Sequence, residues 1–239
     1  MQAFLIFERM IKILIVSATE GEVSKITEHL EISSPGTKEL KHYRYDNAEV
    51  DVLITGVGMV ATAYHLGKLL ANSFYTVIYN IGVCGCFDRT IELGTVVHVT
   101  SDSFPEIGAQ DGDKFLSVFD MGLMNKDESP FKDGELFSYH PPQLKTLNNL
   151  KQVKGITMNT VSESYPHSLI LNPQSPQIES MEGAAFLYAC LKEQIPCAQI
   201  RGISNYVEKR NKANWQMDKA IENLTHTMLN ILSEISENA

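Results

Sequence analysis

The chain lacks four things that would each have pointed to a class of protein. It has no apolar run of bilayer-spanning length, so no transmembrane helix is expected. It lacks positive charge in excess: 20 basic residues face 29 acidic ones, a net charge of −9, which argues against a binder of the phosphate backbone of nucleic acid. It has only four cysteines, Cys84, Cys86, Cys190 and Cys197. Cys84-Gly85-Cys86 has the wrong spacing for zinc and no histidine nearby, so all four read as buried thiols in a reducing cytoplasm. There is also no HExxH, GxSxG or GxxxxGK[ST] pattern, and no metal or organic cofactor is expected.

What is present reads as one domain. Residues 1–9 form an N-terminal extension whose apolar patch, Phe4 to Phe7, is too short for a signal-peptide core, and Met10 is a candidate start. Residues 10–239 form the single domain. Apolar, β-branched runs at 11–17, 51–55, 76–80, 94–100, 155–161 and 198–203 predict buried strands. Helical spacing predicts helices at 20–30, 59–71, 142–150, 181–193 and 217–236. In the second of these, Val60, Ala63, Tyr64, Gly67 and Leu70 are expected to share the inward face. Residues 101–155 read as loops and short pieces. Strand–helix alternation predicts a three-layer α/β/α sandwich around a mainly parallel, mixed central sheet.

Ligands of open α/β sheets bind beyond the carboxyl ends of the strands. Ala18-Thr19-Glu20, Gly82 to Gly85, Glu179 to Gly183 and Ser204-Asn205 all fall at such ends. Each also has a plain structural reading. Glu20 and Glu182 stand in first helical turns, where the macrodipole favours a carboxylate. Asn205 could form a turn, and Gly82 and Gly85 could shape one. Gly56-Val57-Gly58-Met59-Val60-Ala61 matches a loose dinucleotide fingerprint, but the required acidic residue some twenty positions on is missing, and these glycines read as close-packing positions. Arg201, Lys209 and Arg210 read as surface charge or structural ion pairs. Asp111-Gly112-Asp113 reads as a solvated turn.

Five segments in order resemble the purine nucleoside phosphorylase and nucleosidase superfamily, nearest its methylthioadenosine/S-adenosylhomocysteine nucleosidase branch. They are Ile13 to Val23, Thr55 to Ala63, Asn80 to Phe87, Glu179 to Ala185 and Arg201 to Asn205. The last two, with Trp215 following, are most similar to the futalosine hydrolase family. The resemblance implies hydrolysis of an N-glycosidic bond, with a purine nucleoside and water as substrates. It implies Glu20 as the carboxylate that activates water and Glu182 as the grip on the ribose hydroxyls, with Met181 beneath the sugar. It places Asn205 at the N7 edge of the purine, Gly82 and Val83 in the substrate site, and Tyr165 as the ring stacked on the base. It further implies a homo-oligomer, a dimer or larger, with Phe104 or Phe115 as possible contacts. A methylthioadenosine nucleosidase, a phosphorylase and a non-catalytic nucleoside-binding protein are the alternatives. An amide cannot act as an acid, but its NH₂ can donate to N7 and O6, so Asn205 favours a 6-oxopurine.

Overall fold

The structure is a computed structural model and describes residues 11–161 and 175–238. The N-terminal extension and Tyr165 lie outside the described residues. A mixed sheet runs in the order β2 (Glu31–Ser34), β3 (Leu40–Tyr45), β4 (Ala48–Ile54), β1 (Lys12–Ser17), β5 (Val77–Cys86), β12 (Cys197–Tyr206), β6 (Val96–Asp102), β10 (Lys151–Thr157), β11 (Ile178–Ser180). The central pairings β4–β1, β1–β5 and β5–β12 are parallel. The outer β3–β4 and β2–β3 pairings are antiparallel, as is β12–β6.

Alternation along the central strands creates two cores. In β1, Ile13 and Ile15 face one layer, with α1 (Glu20–Thr27) and α5 (Met217–Glu237) packed on it through Val23, Ile26, Leu224, Met228 and Ile231. Leu14 and Val16 face the other, covered by α2 (Met59–Leu70) and α4 (Gly183–Lys192) through Leu66, Leu70, Phe186 and Leu187. Strand periodicity of two turns one apolar run into two half-cores, which is why these strands lack polar alternation. The expected sandwich is therefore observed.

The sheet's far half closes on itself. Three-residue β11 pairs in parallel with β10 and antiparallel with β5, so β5, β12, β6, β10 and β11 form a ring. Its interior holds Cys84, Val97, Val99, Val153, Ile178 and Ile203.

Three expectations need correction, and one element was not anticipated. The inward face of α2 is Thr62, Leu66 and Leu70, whereas Val60 and Tyr64 are exposed. Both faces carry apolar residues, so helical spacing alone could not choose between them. The hairpin of β2 and β3 escaped notice because its residues alternate weakly and lie mostly outside the core. Strands β5 and β12 run several residues past their expected ends, so Gly82 to Gly85 belongs to a strand and forms no turn. Gly56 and Gly58 have φ of +84° and +95°, and an added Cβ at Gly58 would meet nothing within 4 Å. They serve backbone conformation rather than close packing. The Asp111–Asp113 segment is the tip of the small hairpin of β7 (Gly108–Asp111) and β8 (Lys114–Ser117), as expected of a solvated turn.

Candidate active site

The carboxyl ends of β1, β5, β11 and β12 border one cavity of about 380 Å³. Three carboxylic side chains, Glu22, Glu179 and Glu182, line it, along with Asn205. No lysine, arginine or histidine lines it among the described residues.

The first of these acids is not the one expected. Glu20 opens α1 with its side chain 63 % exposed and bonded to Lys41 at 2.5 Å, outside the cavity. Lys41 holds its carboxyl below the ordinary range. Two residues on, Glu22 turns back over the helix start. Thr19 and Glu22 have capping-box spacing, and Glu22 Oε2 accepts from the Thr19 amide at 3.1 Å and the Thr19 hydroxyl at 2.9 Å. Its Oε1 accepts the Val83 amide at 2.9 Å. A first-position side chain of a helix splays outward, whereas a third-position one reaches back toward the cap. The Thr-x-x-Glu spacing was the available signal for Glu22.

Val83 thus lines the cavity and also orients the acid through its backbone. Gly82 lies beneath. A Cβ there would fall 2.6 Å from both Arg201 Nη1 and Glu22 Oε1. Those two groups are therefore separated by no more than twice that distance, across a space only glycine leaves open.

Glu182 caps α4 and is buried. Its Oε1 accepts the Gly58 amide at 3.0 Å, and its Oε2 lies 3.7 Å from Arg201 Nη1. Arg201 is 1 % exposed and also donates to Asn80 Oδ1. A buried carboxylate without such partners would shed its charge. Arg201 is thus a structural ion pair, as one reading had it. The Gly-Val-Gly segment delivers an amide to Glu182 rather than to a dinucleotide.

Asn205 follows a bulge in β12. Ile203 pairs with Cys84 and Asn205 with Gly85, leaving Ser204 as the extra residue. Bulges re-aim side chains, and this one turns Asn205 into the cavity. The Ser204 hydroxyl donates to Asn205 Oδ1 at 2.8 Å, and Asn205 Nδ2 donates to the Tyr206 carbonyl at 3.0 Å. Reversing the amide would set two oxygens face to face at Tyr206. The NH₂ consequently keeps one proton to offer the cavity.

Met181 lines the cavity between Glu179 and Glu182. Glu179, singled out for no role in the sequence, is 2 % exposed, and neither of its oxygens has a hydrogen-bond partner among the described residues. Burial, with repulsion from Glu106, pushes its carboxyl up to about 7. An acid inside the short buried run Ile178-Glu179-Ser180 was the signal for it. A second cavity of about 480 Å³ adjoins, sharing Glu179, Met181, Asn205 and Trp215 and adding Lys209 and Arg210. The Arg210 guanidinium stands over the Trp215 ring at 5.6 Å.

The family model described as the phosphorylase superfamily matches residues 12–235. The chain belongs to the phosphorylase superfamily. Within it, the chain is 28 % identical to a futalosine hydrolase of Thermus thermophilus over 183 residues, 76 % of this chain and 80 % of the relative. It is 25 % identical to a 5'-methylthioadenosine/S-adenosylhomocysteine nucleosidase of Colwellia psychrerythraea over 241 residues, 92 % and 95 % of the two chains. The solved futalosine hydrolase of Helicobacter pylori superposes with a TM-score of 0.76 at 15 % identity, covering 94 % of this chain and 98 % of the other. That likeness is one of fold.

Proposed function

We propose that this protein hydrolyses the N-glycosidic bond of a purine nucleoside, with futalosine as its substrate, releasing hypoxanthine and dehypoxanthine futalosine in menaquinone formation. It is an enzyme of the N-glycosyl hydrolase kind by its relatives. The observation that carries the hydrolytic reading is the lining of the cavity: three carboxylic groups and no basic side chain among the described residues. A phosphate dianion would be repelled there, whereas a sugar acquiring positive charge would be stabilised.

Departure of the purine builds positive charge on the ribose and negative charge on the base. Glu182 accepts from the vicinal hydroxyls and its charge favours the oxocarbenium-like sugar, with Met181 packed beneath. Glu22, held by Val83 and Thr19, takes the proton of the attacking water. This is the role the sequence suggested for Glu20. Asn205 donates its remaining amide proton to the N7/O6 edge of a 6-oxopurine. Gly82 keeps Glu22 and Arg201 close, and the base-stacking ring is assigned to Tyr165.

Futalosine, an inosine derivative with a benzoate-bearing 5′ substituent, also suits the adjoining cavity, where Lys209 and Arg210 can meet a carboxylate. Four buried free cysteines accord with a reducing cytoplasm. Among the described residues no helix is long and apolar enough to cross a membrane. Assembly into a homo-oligomer belongs to the same proposal. Exposed Val57, Val60 and Tyr64 support it, whereas Phe104 is engaged with Phe131 within the chain. Light scattering during size exclusion measures the mass.

The test is incubation of purified protein with futalosine, inosine and methylthioadenosine, with and without phosphate, with the freed base quantified. Hypoxanthine release from futalosine without phosphate is expected. Adenine release alone overturns the role of Asn205, and strict phosphate dependence overturns that of Glu22.

A further inference from the structure

Hydrolysis at this site raises a question of protons. A purine leaves far more readily when a ring nitrogen is protonated as the bond breaks, and the amide of Asn205 has no acidic proton to give. One group in the cavity can give one. Glu179 lies on β11 opposite Gly85 of β5, and Asn205 lies opposite the same Gly85 on the other side. Gly85 has no side chain to separate them. A Cβ there would stand 3.2 Å from Glu179 Cγ and 3.0 Å from Val207 Cγ2, so the carboxyl arm of Glu179 occupies the space above the glycine, and it lines the same cavity as Asn205.

The other acids lining the cavity, and Asp102 behind it, are committed. Glu22 accepts from Val83, Thr19 and Ser17. Glu182 accepts from Gly58 and faces Arg201. Asp102 accepts from Thr157, Gln199 and Ser103. Only Glu179 is buried, lines the cavity and has both oxygens without a partner among the described residues. A group so costly to bury is expected to meet something the cavity admits.

We propose that Glu179 is the general acid of the reaction, giving its carboxyl proton to the purine ring nitrogen at the edge Asn205 holds as the glycosidic bond breaks. This rests on the nucleosidase reading above. The C1′–N bond breaks with its electron pair going to the purine, and the Glu179 proton joins that base. Water adds to C1′ and its proton passes to Glu22. The enzyme is left with a protonated Glu22 and an ionised Glu179, and exchange with solvent restores both. Burial helps: with its carboxyl pushed up to about 7, Glu179 still carries a proton near neutral pH.

The charged and titratable groups around it are few. Glu106 acts on it from the β6–β7 connection, and the Cys84 thiol lies on β5. Arg201 is on β12, turned toward Asn80 and Glu182. Glu208, Lys209 and Arg210 share the adjoining cavity.

The test compares the wild type with Glu179→Gln and Glu22→Gln on the nucleoside and on 4-nitrophenyl riboside, whose leaving group needs no proton. The pH profile of kcat is recorded on the nucleoside. E179Q should lose about 10²–10³-fold in kcat on the nucleoside, with a loss at least tenfold smaller on the nitrophenyl riboside. E22Q should lose on both. The wild-type kcat should fall above about pH 7, and that limb should vanish in E179Q. If the wild type does not take the nitrophenyl riboside, the limb decides. A nucleoside rate within about threefold of wild type, equal losses on both substrates, or a limb that persists in E179Q each overturns the proposal alone. A wild type that cleaves no nucleoside overturns the nucleosidase reading, and this proposal with it.

Discussion

The Gly58 amide donates to the Glu182 carboxylate at 3.0 Å, joining two residues 124 positions apart. The bond exists because Gly58 takes a φ of +95° at the start of α2, which turns its N–H away from the helix and into the cavity. A side chain would strain that conformation by about 1–3 kcal/mol. Gly58→Ala should therefore lower the melting temperature and also reduce kcat/KM by tenfold or more, because the carboxylate loses its fixed partner. A melt and steady-state kinetics on one preparation check both. Unchanged kinetics with reduced stability would remove Gly58 from the site.

Two glutamates separated by one glycine should behave oppositely. Glu22→Gln should lower kcat by about 10²–10⁴-fold. Glu20→Gln breaks only an exposed pair with Lys41 and should leave kcat within about twofold and the urea midpoint nearly unchanged. Parallel assays of the two variants decide which acid activates water.

Asn205→Asp should shift preference from 6-oxopurine toward 6-aminopurine nucleosides, since a carboxylate accepts from an exocyclic amine and repels O6. The ratio of kcat/KM for inosine to that for adenosine-type substrates should fall by about tenfold or more. A constant ratio would detach Asn205 from the base edge.

Replacing Lys209 and Arg210 together by Ala should raise KM for futalosine while leaving inosine within about twofold, because only the former carries the anionic tail. Equal effects on the two substrates would mean that these cations serve the fold.

Stability should depend on pH through Glu179. Its carboxyl is pushed from 4.5 to about 7 in the folded state, so between those values the native protein binds more protons than the unfolded chain. The associated stability is complete below about pH 4.5 and is lost as pH rises through 7, a change on the order of 3 kcal/mol. E179Q should remove that slope and unfold later in urea than wild type at pH 8.5. His98, pushed down to about 4 by burial, costs stability as pH falls from 6.5 toward 4. The comparison is therefore read as the difference between wild type and E179Q from about pH 5 to 8.5, in which the His98 contribution, common to both proteins, cancels.

Much of this was legible in the chain. The runs 11–17 and 198–203 announced buried strands because both faces of the central sheet are covered, and Glu182 and Asn205 were found from their place after such strands. Glu22 was missed in favour of Glu20 because both fall in the first helical turn, and the Thr19-x-x-Glu22 spacing that sets their side-chain directions apart was not used. Glu179 was missed because the run that holds it is only three residues long, too short to announce a buried strand, and its lack of a partner shows only in three dimensions. The inward face of α2 was misassigned because Val60 and Tyr64 are as apolar as the residues that are buried. The bulge at Ser204 left no mark in composition, although it decides where Asn205 points.

Ring closure by β11 carries a consequence for how this site can diversify. A three-residue strand bonded along both margins has its register set from two sides, so the backbone that carries the acid at its centre is fixed by both neighbours. Mutational drift toward new nucleosides must then work through the border of the cavity, at Val161, Trp215 and the cationic stretch after Asn205, while the floor stays constant. Substrate range and chemistry are thereby inherited separately.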